Sequence, residues 1–268
     1  MYKPDLIPLF AFAVIALLQS CKKDPAENLP LPSTTLSAIE WSPGNQKETY
    51  EYNSDRSLKK IVFTSGQVAD SYEFKWNDKK LSEVHETGSL FKQYYQYSGN
   101  RISTMTYAPA ADPGVGNYKM AYTYRADGKP DKMELIMLNA SGSNAVTTYN
   151  YNAAGELSST VTIMDEYRIT QTIESYSAEV RFEPWSFIDI SLLENYMIYN
   201  YPVLSSMKAL PAKVSRSVKI GNNPEFLDAV TTNTFEITNG RISKLKYELQ
   251  IPGSPSLNRT KNAQFIYK

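Results

Sequence analysis

The centre of the chain reads Tyr149-Asn150-Tyr151-Asn152-Ala153-Ala154-Gly155-Glu156-Leu157. Two aromatic residues at i and i+2 precede a short polar turn, and an aliphatic residue then opens a second run. Aromatic residues favour strands, and residues two apart in a strand share one face of the sheet. The glycine tolerates the positive φ that tight hairpin turns require. The segment therefore predicts a β-hairpin with one aromatic face.

The same pattern returns along most of the chain. Its second aromatic residue falls at positions 52, 76, 97, 124 and 151, which gives steps of 24, 21, 27 and 27 residues. A late copy runs from Phe235-Glu236-Ile237 to Ile242. Such spacing is typical of one hairpin per repeat with connections of varying length. Because a single hairpin is not stable in water, neighbouring hairpins must pair edge to edge.

We therefore expect an all-β fold, an antiparallel meander of stacked hairpins that forms a curled sheet or partial barrel. An aromatic face of that size needs a cover, since large exposed apolar patches are rare on monomers. Strands are also expected after the central repeats, and the last of them should pair with an earlier strand and close the domain. They are Arg168–Ile173, Ala178–Phe182, Val214–Ile220, Ala229–Ile237, Arg241–Ile251 and Ala263–Tyr267.

The repeat lapses between residues 163 and 232, where a short helix is predicted as an insertion at about 186–200. Asn200 and Pro202 are expected to end this helix. It would cover the aromatic face, or alternatively form a mobile lid over a ligand groove. Its apolar stripe consists of Ile188, Leu192, Leu193, Tyr196 and Met197.

The N-terminus carries an uncharged apolar run of thirteen residues, from Leu6 to Leu18. This run is too short to span a membrane but has the length of a signal-peptide core. Leu18, Ser20 and Cys21 resemble the lipobox of bacterial lipoprotein precursors. That resemblance implies a signal peptide at residues 1–20, cleavage before Cys21 and a lipid on the Cys21 sulfur.

Lys22 follows Cys21, which by analogy with lipoprotein sorting suggests the outer membrane; whether the protein faces outward or the periplasm stays open. We expect residues 21–35 to form an extended tether from the bilayer. Residues 36–268 would then form a single β-repeat domain. Cys21 is the only cysteine, so a lipidated chain keeps no thiol for a disulfide.

The hairpins resemble degenerate YD (RHS-type) repeats, whose pattern is Tyr-x-Tyr-Asp-x-x-Gly-Arg-Leu. Tyr149–Leu157 and Tyr122–Pro130 match best, although Asn152 and Arg125 replace the acidic residue. Only Gly240-Arg241-Ile242 keeps the glycine, arginine and aliphatic run. The whole chain is similar to outer-membrane lipoproteins of Bacteroidota that combine a lipobox with such hairpins. This resemblance implies a fold and an outer-membrane location, but no activity.

Charge and motifs argue against several function classes. Lys plus Arg and Asp plus Glu number 28 each, so no global field attracts nucleic acid. Nucleotide-binding glycine motifs are missing from the sequence. His85 is the single histidine, and with Cys21 lipidated neither a catalytic triad nor a His/Cys zinc site is expected. We therefore predict no cofactor, no metal and no enzymatic activity.

Three aromatic residues are the candidate ligand-binding positions. Trp185 lies in the break and is expected to be exposed, and Tyr107 and Tyr118 flank the longest loop of the repeat region. The favoured function is a non-enzymatic binding or scaffolding module for a glycan or a partner protein. One alternative is a carrier of a lipid or hydrophobic ligand, which an open groove would favour. A glycosidase is the third, because paired carboxylates are recognised in space and not in sequence.

Overall fold

A computed structural model describes residues 35–139, 142–188 and 197–268 of the chain. Sixteen antiparallel strands form one closed barrel, in which each strand pairs with its sequence neighbours and the last returns to the first. The strands are β1 (Leu36–Ser42), β2 (Gln46–Tyr52), β3 (Leu58–Ser65), β4 (Val68–Asn77), β5 (Lys80–Glu86), β6 (Phe91–Ser98), β7 (Arg101–Pro109), β8 (Tyr118–Tyr124), β9 (Pro130–Met137), β10 (Ala145–Tyr151), β11 (Leu157–Met164), β12 (Tyr167–Tyr176), β13 (Pro211–Ile220), β14 (Phe226–Thr238), β15 (Arg241–Gln250) and β16 (Arg259–Tyr267).

The predicted all-β antiparallel meander is confirmed, but the predicted curled sheet or partial barrel is wrong. The barrel is closed, because β16 pairs with β1 and places Tyr267 opposite Leu36. An open sheet would leave two rows of backbone groups unpaired, and closure satisfies both rows. The closing role expected of the last strand is confirmed.

Each repeat hairpin contains the same irregularity. In the hairpin of β10 and β11, Asn150 pairs with Ser159 but Tyr151 pairs with Leu157, so Ser158 is an extra residue. Such a bulge bends the strand and increases its twist, which a closing sheet requires. The same register shift occurs at Tyr52, Trp76, Tyr97, Tyr124 and Ile237.

Aromatic side chains also bind the preceding repeat hairpin, and four of them are the second aromatic residues of repeats, at positions 76, 97, 124 and 151. Tyr151 donates its hydroxyl hydrogen to the Pro130 carbonyl oxygen over 2.8 Å. We call the whole series of such bonds the aromatic ladder, and it explains why the repeat needs a polar aromatic group two residues after a buried one. Its other bonds join Trp76 to Leu58, Tyr97 to Leu81, Tyr124 to Ile102, Tyr176 to Leu157 and Tyr267 to Ile242.

Basic residues cover the outer ends of this ladder. The Arg101 guanidinium lies 5.6 Å from the ring centre of Tyr124, and the Arg241 guanidinium lies 5.2 Å from that of Tyr267. Lys80 stands over Tyr97 in the same way. Each of these residues directly precedes the aliphatic residue that opens a return strand. A cation over an aromatic face is a favourable contact, which gives a basic residue at this position a physical reason.

The barrel has two different ends. We call the end that holds the six repeat turns the turn end; Thr35 and Lys268 also lie there and exchange two backbone hydrogen bonds of 3.0 and 2.9 Å. We call the opposite end the mouth end. It holds the other eight connections, which include residues 43–45, 110–117 and 251–258.

The described part of the connection between β12 and β13 packs inside the barrel. We call residues 177–210 the inner segment. It enters at the turn end, and its described part buries Ile198, Val203 and Leu204 against inward-facing residues of the strands. Because the barrel is closed, this segment packs inside it and does not cover an open sheet face.

The helical content of the described residues is small. The α-helix α1 spans Tyr201–Leu204, and single 3-10 turns lie at Pro184–Ser186 and Pro255–Leu257. The predicted stripe from Ile188 to Met197 falls mostly outside the described residues. Asn200 and Pro202 begin α1 and do not end a helix.

The start of α1 and the predicted strand Ala178–Phe182 both depart from expectation for local reasons. The Asn200 Oδ1 atom accepts a hydrogen bond from the Val203 amide over 3.1 Å, which makes Asn200 an N-cap. Proline is well tolerated in a first helical turn, where its missing N–H is not needed.

The prediction of a strand at Ala178–Phe182 is wrong, since the described strand pairing of this segment is reduced to one isolated bridge between Arg181 and Arg241.

The outer face of the barrel wall is charged. Lys47 on β2 lies 2.8 Å from Glu40 on β1, and Lys244 on β15 lies 2.9 Å from Glu236 on β14. Exposed pairs of this kind contribute little to stability, so their main effect is to keep the wall in contact with water. Further pairs join Lys59 to Glu51, Lys60 to Glu73, Lys75 to Glu83 and Lys213 to Glu174.

Candidate ligand cavity

A cavity of about 410 Å³ lies inside the barrel and opens at the mouth end. It separates the inner segment from one sector of the wall, formed by β1–β4 and β14–β16. The aromatic and aliphatic residues that line it are Trp41, Phe63, Val68, Tyr72, Trp185, Phe187, Ile188, Tyr199, Leu210, Phe235, Leu245 and Tyr247. The polar residues that line it are Gln46, Lys47, Glu48, Thr64, Ser65, Asp70, Ser186, Asn233, Arg259 and Lys261.

Trp185 forms part of the apolar floor. Its ring meets the edge of Phe74 at 4.8 Å and stacks on Tyr201 at 5.4 Å. The 3-10 turn that positions it begins with Pro184, and the Glu183 carboxylate accepts a hydrogen bond from the Trp185 amide over 3.5 Å. The Trp185 indole N–H has no hydrogen-bond partner among the described residues. A buried donor left in this condition carries a desolvation cost that an acceptor would remove.

The mouth of the cavity is polar on one side. Glu48 points inward from β2 and accepts hydrogen bonds from the Trp41 indole N–H over 2.6 Å and from the Tyr50 hydroxyl over 2.5 Å. Burial, followed by the Glu48 charge, raises the pKa of Tyr50 well above its usual value, so Tyr50 remains a hydrogen-bond donor. The ammonium group of Lys261 on β16 lies 6.0 Å from the Trp41 ring centre. Trp41 therefore links an inward-facing cation to an inward-facing carboxylate.

Glu48 and Asp70 are the carboxylates that bear on the glycosidase hypothesis. They lie in register on β2 and β4 with Phe63 between them, so both stand on one wall of the cavity. Glycosidase carboxylates flank the scissile bond from two sides, and one of them must donate a proton. Both Glu48 oxygens accept hydrogen bonds, from the Trp41 indole and the Tyr50 hydroxyl. The register of the strands thus does not place the two carboxylates on opposite sides of the cavity.

A third carboxyl group lies deeper, on the inner segment. Burial raises the pKa of Glu183 from its usual 4.5 to about 7, although the hydrogen bond from the Trp185 amide acts in the opposite direction. Burial raises the pKa values of Tyr50, Tyr52 and Tyr201, and the charge of nearby Glu183 raises them further by a smaller amount. Glu183 therefore belongs to the packing around the cavity floor, and it does not line the cavity.

The structure separates the predicted binding residues. Trp185 is 3% exposed, so the exposure expected of it is wrong: the inner segment carries it into the barrel, where it lines the cavity. Tyr107 and Tyr118 pair across β7 and β8 and stack at 5.1 Å, and Phe91 stacks on Tyr107 at 5.2 Å. This stack lies at the mouth end in another sector of the wall. Ligand binding by all three predicted residues stays a prediction.

Other expectations have mixed outcomes. The paired aromatic residues were predicted to form the core, and Tyr50, Phe74 and Tyr149 are buried. Cys21 lies outside the described residues, so the signal peptide, the lipid and the tether stay predictions. His85 lies on β5 as an ordinary strand residue, with its Nε2 atom 3.0 Å from the Ser89 carbonyl oxygen.

The sequence held a signal for the polar side of the mouth that the repeat pattern obscured. Glu48 stands two residues before Tyr50, and Lys261 stands two residues before Ala263 and four before Phe265. Alternation places each of these charges on the inward face. A charge on the apolar face of a strand is unusual and indicates a polar partner or a ligand.

Two further searches of the described residues concern membranes and metals. The part of the chain from 35 to 268 that the structure describes holds no helix long and apolar enough to cross a bilayer. Within the same residues, no group of three or more His, Cys, Asp or Glu side chains is placed to hold a metal ion.

Comparison with solved structures shows the fold. A porin-like protein from Bacteroides uniformis superposes with a TM-score of 0.57 at 17% identity, over 88% of this chain and 98% of that one. A porin-like protein from Bacteroides vulgatus gives a TM-score of 0.45 at 10% identity, over 87% of this chain and 98% of that one. No protein-family model matches the sequence, and no curated protein matches it. At these identities the first likeness shows a shared barrel architecture.

Proposed function

We propose that the protein is a non-enzymatic ligand-binding lipoprotein of the cell envelope, and that its barrel holds a small hydrophobic or amphipathic molecule. The cavity of about 410 Å³ is the observation that carries this proposal. Its size lies in the usual range for sites that enclose a small molecule, and such sites combine apolar walls with a few polar groups. The carrier hypothesis is therefore favoured over a scaffolding module with a filled core.

The distribution of polar residues suggests how the ligand lies. Trp185, Phe187 and Leu245 line the floor, whereas Glu48, Asp70 and Arg259 line the mouth side. Burying an unpaired polar group is costly, and burying apolar surface is favourable. An apolar body would therefore lie on the floor, and a polar end would reach the mouth.

Attachment to the envelope would come from the lipid on Cys21. The lipobox and Lys22 support an outer-membrane anchor, and the likeness to porin-like proteins from Bacteroides is consistent with that compartment. The barrel itself is not proposed to span the membrane. Transmembrane barrels present an apolar outer band and a polar interior, and the Lys–Glu pairs on this outer wall show the opposite arrangement.

A short glycan is the second candidate ligand. Trp41, Phe63 and Tyr72 present rings at the mouth, where Gln46 and Glu48 supply hydrogen-bonding groups. Sugars bind by stacking on aromatic rings while their hydroxyls find polar partners. A glycan would occupy the mouth and leave the floor empty.

Native mass spectrometry of the full-length protein, purified gently from its own host, tests the proposal. We expect an added mass that denaturation releases as an apolar or amphipathic small molecule. Ser65→Trp should abolish this mass, because the exposed Ser65 side chain lines the mouth. Ser54→Trp, in an exposed turn at the turn end, is the matched control and should keep it. A saccharide in the released fraction would support the second candidate, and an empty wild-type protein would contradict both.

The anchor is tested separately. Palmitate labelling of the wild-type chain should be strong, and Cys21→Ser should abolish it, because Cys21 is the only thiol that can be lipidated. Continued labelling of the variant would overturn the lipoprotein assignment without affecting the cavity.

A further inference from the structure

Within the described part of the chain, the exposed large apolar side chains all lie at one end of the barrel. Among the described residues there are ten, and each sits in a mouth-end connection or on a strand residue beside one. The six repeat turns at the turn end contain none of them. The ten are Val68, Leu90, Val115, Leu138, Val146, Ile163, Tyr167, Phe226, Leu227 and Leu257.

These residues form an apolar ring around the mouth end of the barrel. Seven of the eight mouth-end connections contribute to it, and the exception is the short turn at residues 43–45. Val68 belongs to the ring and also lines the cavity. Single exposed apolar residues need no explanation, but a set confined to one end indicates a surface that leaves water.

We propose that the mouth end docks on a lipid bilayer, with the apolar ring inserted at the boundary between headgroups and acyl chains. Leu90, at 79% exposure, is the most exposed member of the ring. Apolar side chains on a membrane-bound surface reach about 5–10 Å into this boundary. Aromatic residues such as Tyr167 and Phe226 favour the same depth. The proposal does not depend on a ligand in the cavity.

The arrangement of the ring favours a bilayer over a protein partner. Protein interfaces concentrate apolar area in a contiguous centre and surround it with a polar rim. Here the apolar residues stand around the rim of the barrel end, and the cavity opens inside that rim. A bilayer surface can meet separate apolar tips on all sides of an opening at once.

The predicted anchor permits this orientation. Fourteen residue steps separate Cys21 from Thr35 (35 minus 21), and a chain of that number reaches at most about 50 Å. A ten-residue strand such as β4 is about 33 Å long before any tilt. The chain between Cys21 and Thr35 is therefore long enough for the mouth end to reach the bilayer that would hold the lipid.

Charge should contribute little to this docking. Arg168 and Lys219 pair across β12 and β13 on the outer wall near the ring. The described residues of the mouth-end connections include no Lys or Arg and four acidic residues that oppose these two cations, Asp112, Asp165, Glu166 and Glu225. We therefore expect binding to depend weakly on salt and on the fraction of anionic lipid, because apolar insertion drives it.

Site-specific fluorescence on residues 21–268 carrying Cys21→Ser tests the proposal, because this chain lacks the apolar run Leu6–Leu18, which would itself enter vesicles. This change removes the only cysteine, so one introduced cysteine can carry a polarity-sensitive dye. We place it at Leu90→Cys in the ring or at Ala154→Cys in an exposed repeat turn. Vesicles of phosphatidylethanolamine with phosphatidylglycerol should shift the dye at position 90 to the blue and leave the dye at position 154 unchanged. A shift at both positions or at neither would overturn the proposal.

Vesicle flotation supplies the matching affinity measurement. Phe226→Ser combined with Leu227→Ser should weaken vesicle binding by at least about tenfold, since each change removes an apolar side chain from the bilayer. Ala153→Ser combined with Ala154→Ser should bind as the parent chain does. Sedimentation without vesicles checks the competing occupant: a stable dimer that the Phe226 and Leu227 changes dissociate, without vesicle binding, would assign the ring to a second copy of the chain.

Discussion

The two ends of the barrel follow different rules. Each of the six hairpins at the turn end combines a bulge, a hydrogen bond of the aromatic ladder and a polar turn, as at Tyr151 and Leu157. The described mouth-end connections share no such motif; they vary in length and expose residues such as Leu90 and Leu257. Structural requirements fix the first end, because each rung completes the hairpin beside it. The connections of the mouth end do not share this requirement, and the proposed ligand site lies there.

One substitution made at both ends should show the largest contrast. Leu157 is 3% exposed on β11, and Leu257 is 60% exposed in the last mouth-end connection. Leu157→Ala removes buried methyl groups and leaves a cavity, which costs about 2–5 kcal/mol. Leu257→Ala should change the free energy of unfolding by less than about 0.5 kcal/mol. Urea unfolding followed by circular dichroism measures both, and equal midpoints would remove the contrast between the ends.

The pH dependence of stability should be second in size. Glu183 has a pKa of about 7 in the folded protein, above its unfolded value, so the folded state binds the proton more tightly. The contribution of Glu183 to the free energy of unfolding is therefore fully present below about pH 4.5 and is lost as pH rises through about 7. Glu183→Gln should raise the free energy of unfolding at pH 8 by roughly 2 kcal/mol. This figure is smaller than the pKa difference alone would give, because solvent screens the partly exposed side chain.

The control for this prediction is Glu225→Gln, an exposed carboxyl at the mouth end. Thermal unfolding at pH 5 and pH 8 should give a larger gain at pH 8 for Glu183→Gln and no pH-dependent gain for Glu225→Gln. An identical gain at both pH values would show that Glu183 is not held in a desolvated position.

Glycine replacement should give the third contrast. Gly240 has φ +73° in a repeat turn, whereas Gly253 in a mouth-end connection has an ordinary φ, and a Cβ at either position meets nothing within 4 Å. Gly240→Ala should cost about 1–2 kcal/mol, because left-handed backbone strains residues with a Cβ. Gly253→Ala should be neutral or stabilising by up to about 1 kcal/mol. Differential scanning calorimetry of both variants would contradict the comparison if Gly240→Ala melted with the wild type.

Removal of one hydroxyl should give the smallest effect. Tyr151→Phe deletes the 2.8 Å hydrogen bond to the buried Pro130 carbonyl oxygen and should cost about 0.5–1.5 kcal/mol. Tyr167→Phe, on a half-exposed ring at the mouth end, should be nearly neutral. If chemical denaturation gave the two variants the same midpoint, the aromatic ladder would have no measurable energetic role.

The sequence predicts the hairpins of the turn end, but it does not predict the arrangement of the mouth end. The hairpins, the buried residues at Tyr50 and Tyr149 and the closing strand follow from local alternation, which each short segment displays by itself. Full closure of the barrel does not follow from local alternation, because it depends on the summed twist of sixteen strands and on their bulges.

The candidate site was hidden for a similar reason. A cavity is space between distant segments: Trp41, Trp185 and Tyr247 come together only after the barrel has closed around the inner segment. The position of Trp185 outside the repeat predicts an exposed side chain, but the inner segment buries it beside the cavity. Inward charges such as Glu48 were visible in the alternation, but they lacked meaning until a cavity was known to lie beside them.

The bonds between Thr35 and Lys268 have a consequence for the order of events during synthesis. β1 is made first, yet its partner β16 comprises the last strand of the chain. Contacts between residues so distant in sequence form slowly, because a long loop must close before they can contribute. Until then β1 has an unpaired edge, and loss of β16 would expose a second edge on β15. A chain whose synthesis stopped before β16 would therefore keep an open barrel with two unpaired edges.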